Sequence, residues 1–63
     1  MAFAAVVART SPQGMEYLVR DTGRAEWAPV AQAAARFATL RDATRAALRL
    51  PSALRAFALP AES

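Results

Sequence analysis

Between Met15 and Asp21 the chain alternates, with Met15, Tyr17 and Val19 on one side and Glu16, Leu18 and Arg20 on the other. That period of two predicts a half-exposed strand over residues 15–21. Upstream, residues 3–9 are an almost unbroken apolar run, Phe3-Ala4-Ala5-Val6-Val7-Ala8 before Arg9, and predict a buried strand. The two runs are separated by Ser11-Pro12-Gln13-Gly14, which places Ser, Pro and Gly where a type I turn favours them. A second reversal at Asp21-Thr22-Gly23 leads to a third strand over 24–28, ended by Pro29. Here the pattern selects the loop. A two-residue loop mixes polar and apolar groups on both faces. A three-residue loop with Gly23 left-handed sets Tyr17 opposite Trp27 and Val19 opposite Ala25 on an inner face, and leaves Glu16, Leu18, Arg20, Arg24 and Glu26 outside.

After residue 38 the period lengthens. Thr39-Leu40-Arg41-Asp42 has the form of a capping box. Leu40, Ala43, Ala47 and Leu50 then recur at three- and four-residue spacing, which predicts an amphipathic helix over 40–50 whose small alanines allow close approach to a sheet. Pro51 stops it, because the residue before a proline disfavours helical geometry. Residues 54–59 are an apolar run too short for a helix, and predict return of the chain to the sheet as a last strand. Residues 30–38 read either as a connector or as a short helical turn. Together these elements predict a single small α+β domain, an antiparallel sheet of three to four strands packed against one main α-helix.

Composition removes most kinds of chemistry. The chain has 63 residues and neither cysteine nor histidine, which excludes disulfides, thiolate nucleophiles and nearly all zinc or transition-metal sites. At this length folding buries only about 60% of the unfolded chain's surface, leaving little room for a substrate pocket. The remaining hydroxyls and five scattered carboxylates offer no nucleophile with an adjacent base. The expectation is a non-enzymatic protein without cofactor or metal. The opening apolar run lacks a basic flank and falls short of the roughly 20 residues a membrane span requires, so a cytoplasmic location is expected.

Charge gives the remaining direction. The formal net charge is +3, the isoelectric point is near 11.2, and all eight basic residues are arginine. Eighteen alanines beside the absence of lysine and isoleucine also fit a GC-rich coding sequence, which by itself favours arginine. Arg41, Arg45 and Arg49 nevertheless stand four residues apart on the predicted helix, each turned about 40° from the last, and so form one ridge. Guanidinium forks pair bidentately with carboxylate and phosphate. Arg36, beside Phe37 just before the helix, joins these three as a candidate partner-binding residue. Phe37 itself reads as a hydrophobic staple. Partners of two kinds suit the ridge, an acidic protein surface or a nucleic acid, with the protein itself a monomer or weak homodimer.

The run Tyr17-Leu18 through Asp21-Thr22-Gly23, followed by Trp27, by Ala35-Arg36-Phe37-Ala38-Thr39 and by Asp42-Ala43 and Ala46-Ala47, resembles the pattern of small phage and prophage proteins in which a glycine-turned hairpin and a tryptophan precede a capped helix. Within that group the chain resembles anti-CRISPR proteins that inhibit type I systems, type I-C among them. The resemblance spans about residues 15–50. It implies inhibition by occupancy: a small rigid protein binds the type I surveillance complex (Cascade), often at its large subunit, and blocks target DNA. The chain departs from the acidic DNA mimics among such inhibitors, since it is basic. The alternative is a small basic phage regulator that holds nucleic acid through the helix ridge.

Overall fold

In the computed structural model, which describes residues 4–21 and 24–61, the first apolar run is strand β1 (Ala4–Ser11) and the alternating segment is β2 (Gly14–Asp21). They form a hairpin across Pro12-Gln13, closed by the Ser11–Gly14 pair. Ser11 fixes the turn with its side chain. Its Oγ accepts from the Gln13 N–H at 3.3 Å and donates to the Gly14 carbonyl at 2.8 Å. Gly14 has φ +126°, a conformation that side chains other than hydrogen resist.

Strand β3 (Ala25–Ala28) pairs with β2, and β4 (Phe57–Ala61) pairs with β1, giving an antiparallel sheet in the order β3-β2-β1-β4. Helix α1 (Leu40–Arg49) lies on one side of it, over β1 and β4. The architecture is thus the expected small α+β fold. The last strand begins at Phe57, three residues later than anticipated, because a 3-10 turn (Ser52–Leu54) follows Pro51.

The expected inner face of β2 is corrected by a bulge. Leu18 stands opposite Trp27 and Tyr17 opposite Ala28, but Arg20 stands opposite Glu26 and Asp21 opposite Ala25. One extra residue, at Val19/Arg20, therefore sits in β2, and every side chain before it changes face relative to an unbroken strand. Leu18 joins Trp27 on the helix side and is buried to 2% exposure. Tyr17, expected to face Trp27, lies on the opposite face of the sheet. Three residues, 22–24, separate the last pair of the β2–β3 hairpin, so the loop has the anticipated length but starts one residue later. The conformation of Gly23 lies outside the described residues.

Residues 30–38 contain a 3-10 turn (Ala31–Ala33) and then rejoin the sheet. The Ala35 N–H donates to the Leu18 carbonyl at 2.9 Å, and Phe37 and Ala5 exchange both backbone hydrogen bonds at 3.0 and 2.8 Å. The connection is thereby stitched to β2 at one end and β1 at the other. Because Ala5 spends its N–H and carbonyl on Phe37, its other neighbour, Pro60 of β4, has no ladder bond to lose.

The core between sheet and helix is built from Ala5, Val7, Leu18, Ala43, Ala47 and Leu50, with Trp27 and Phe37 among the half-buried residues packed around it. Alanine is frequent because the helix comes close. Leu40, expected in this stripe, is 40% exposed at the first turn.

Candidate interaction surface

Helix α1 is held at its start by the Thr39 side chain, which accepts from the Asp42 N–H at 3.1 Å. This is the threonine half of the expected capping box. Thr44 Oγ1 donates back to the Leu40 carbonyl at 2.9 Å. At the other end Arg49 lies in the last turn, where its charge interacts favourably with the helix dipole. Which way the helix faces is set by its buried small residues, not by these local contacts. Ala43 and Ala47 point into the core, so Arg41, Arg45 and Arg49 point away from the sheet, and all three are exposed. The ion pairs among the described residues are Arg9–Glu16 and Arg20–Glu26, and neither involves the ridge.

Two further residues belong to this surface. Leu48 is 79% exposed and sits three residues beyond Arg45 and seven beyond Arg41, on the same side of the helix. Beside it a cleft of about 210 Å³ opens at the end of the helix, lined by Leu48, Leu50, Pro51, Ser52 and Arg55 among others. Arg55 is exposed and adopts φ 55° and ψ 39°, a left-handed conformation uncommon for a residue with a side chain. The sequence signal for Leu48 is its position: it is the one leucine of the helix that falls among the arginines rather than in the apolar stripe. Nothing in the pattern marked Arg55.

The other charged residues are placed elsewhere. Arg36 is exposed, but it lies on the stitched connection before Phe37, outside the helix. Phe37 is half-buried against the core. Arg9 is paired with Glu16 at 2.8 Å while its guanidinium lies 4.5 Å from the centre of the Trp27 ring. That stack covers the part of the sheet over β2 and β3, which the helix leaves free. Glu16 therefore lies on the opposite face of the sheet from Glu26, and the outer-face grouping expected for the two is corrected. Arg20 and Glu26 pair at 4.0 Å with both side chains more than half exposed, an interaction worth under about 1 kcal/mol.

The described residues hold no cluster of three acidic side chains able to take a metal, and among them no helix is long and apolar enough to cross a membrane. No family model, no curated protein and no solved structure matches the chain.

Proposed function

We propose that the protein acts by binding, through the outward face of α1, and that its partner is a protein with an acidic surface surrounding an apolar recess. The observation that carries this reading is Leu48, 79% exposed among three exposed arginines. An arginine ridge alone suits phosphate and carboxylate equally. A leucine among the arginines gains nothing from a phosphate backbone but gains about 1.5–3 kcal/mol on entering an apolar pocket. Apolar anchor and charged flank together are the usual anatomy of a protein interface. The cleft beside Leu48 and the left-handed Arg55 extend the same surface. With the resemblance to phage inhibitors, the partner proposed is the type I CRISPR surveillance complex, at its large subunit, occupied so that target DNA is kept out.

The test is phage plaquing on a host whose type I system targets that phage. Expression of this protein should restore plaques, and Arg41→Glu with Arg45→Glu should abolish the effect, as should Leu48→Asp. Unchanged plaquing across several type I subtypes, with the protein expressed, rules out the proposed target. The choice between protein and nucleic acid is made by salt. Binding to DNA or RNA through several arginines weakens steeply as salt rises, whereas binding anchored by Leu48 changes less and is lost on Leu48→Asp. A steep salt dependence that is indifferent to Leu48→Asp would establish the nucleic-acid regulator instead.

A further inference from the structure

The cleft at the end of α1 combines a buried apolar floor with a cation. Ala47 and Leu50, both buried, lie at its base, the exposed Leu48 and Pro51 stand beside them, and Ser52 and Arg55 supply the polar groups. At about 210 Å³ it falls short of the roughly 300–1,000 Å³ of a small-molecule site and is scaled to a single side chain. Arg55 is the one residue other than glycine with positive φ among those described. Glycine adopts that conformation without steric cost and is the usual choice where the chain leaves a helical turn. An arginine there keeps the backbone strain and gains a guanidinium at the cleft. The charge around it is of one sign. From Ala43 to Ala61 the chain holds Arg45, Arg49 and Arg55 and no carboxylate. Around the helix axis Leu48 lies within about 60° of Arg41 and Arg45, whereas Arg49 and the acidic Asp42 are turned about 100–120° from it.

We propose that this cleft and the two arginines beyond it receive an extended acidic segment of the partner, with one apolar side chain in the cleft, a neighbouring carboxylate on Arg55 and further carboxylates on Arg45 and Arg41. The proposal rests on the binding role given above to the outward face of α1, and specifies the chemistry of what binds there. Spacing selects an extended chain. Arg41 and Arg45 are separated by about 6 Å along the helix axis, and side chains on one side of a strand recur every roughly 6.6 Å, so carboxylates at alternate residues meet successive arginines. Charge selects the acid, because guanidinium pairs bidentately with carboxylate and no acidic residue of this chain lies on that side of the helix to compete. The segment passes Leu48 on leaving the cleft and so forms one wall of the recess that takes that side chain. A nucleic-acid strand offers phosphate to the arginines but no aliphatic side chain to the floor of the cleft.

The probe is a short end-blocked peptide in which one leucine is followed by glutamates at alternate positions, titrated against the isotope-labelled protein by NMR at up to about 1 mM. Amide shifts should saturate and map to Leu50, Ser52 and Arg55 as well as to Arg41 and Arg45. Replacing the peptide's leucine by glycine, or Arg55→Gly in the protein, should each weaken binding about tenfold or more. Arg55→Gly should also raise the thermal midpoint, since it relieves the left-handed strain. Arg24→Ala, the same loss of charge at an exposed residue outside α1, should leave binding within about twofold. Absence of saturation, shifts confined to the helix and missing from Ser52 and Arg55, or an Arg55→Gly that binds as the wild type or melts earlier, overturns the proposal. A single-stranded oligonucleotide that moves the same amides and binds more tightly than the peptide overturns it in favour of nucleic acid. Plaquing decides the underlying reading separately. Restored plaques without peptide binding at the cleft overturn this proposal alone, and peptide binding mapped to the cleft without restored plaques supports the site while removing the CRISPR target.

Discussion

Arg9 shows how one side chain can serve a fold in place of a missing element. Helix α1 covers β1 and β4, and over β2 and β3 the layer is completed by Trp27 with the Arg9 guanidinium 4.5 Å above its ring and Glu16 holding that guanidinium at 2.8 Å. Trp27→Ala should therefore cost about 2–3 kcal/mol in urea denaturation, less than the loss for a fully buried ring because Trp27 is only half-buried. In a double-mutant cycle with Arg9→Met, the coupling between the two should come to about 0.5–1 kcal/mol; additive losses would mean the stack contributes nothing of its own. Gly14 is a different case, since a Cβ there would meet no atom within 4 Å, yet φ is +126°. Gly14→Ala should still destabilise by about 1–3 kcal/mol through backbone strain alone, and an unchanged unfolding midpoint would show that the turn relaxes to a different shape.

Each element was legible where local chemistry decides it and hidden where a neighbour does. The helix is the plain case. Thr39, the alanine stripe and Pro51 mark its start, face and end, and the structure places α1 at Leu40–Arg49 with the threonine cap formed. Thr39→Ala should cost about 1 kcal/mol and reduce amide protection at Asp42 first. The outward direction of Arg41, Arg45 and Arg49 follows from the same periodicity. The faces of β2 were not readable, because alternation assumes an unbroken strand and a single bulged residue reverses the assignment of Tyr17 and Leu18. What favours the bulge is tertiary: it lets Leu18 enter the core beside Val7 while Arg20 stays with Glu26 outside. The bridge from Phe37 to Ala5 was equally out of reach, since its two partners are far apart in sequence and its alanine-rich flanks carry no strand signal. Leu48 was legible in principle, as an apolar residue on a charged face, and Arg55 was not, since its left-handed backbone is set by the turn around it.

At the scale of the molecule the helix side presents a positive ridge of three exposed arginines, Arg41, Arg45 and Arg49, outside the ion pairs seen among the described residues. Reversing Arg41 and Arg45 to glutamate removes two units at each site and takes the formal net charge from +3 to −1. Because these side chains are exposed and outside the ion pairs seen among the described residues, the thermal midpoint should move by only a few degrees, as for exposed substitutions costing under about 0.5 kcal/mol. A collapse of the midpoint would make the ridge structural. The sheet order has a separate consequence. Ala4 and Ala61 are direct partners on adjacent antiparallel strands, as close as the two sides of any hairpin. A short turn joining Ala61 to Ala4 would convert the chain into a closed ring with all four strands in register. The Pro12-Gln13 reversal could then be opened to give a permuted protein whose first strand is β2. Such a circle has fewer unfolded conformations to lose, which is one of the few routes to extra stability in a chain with no cysteine to cross-link.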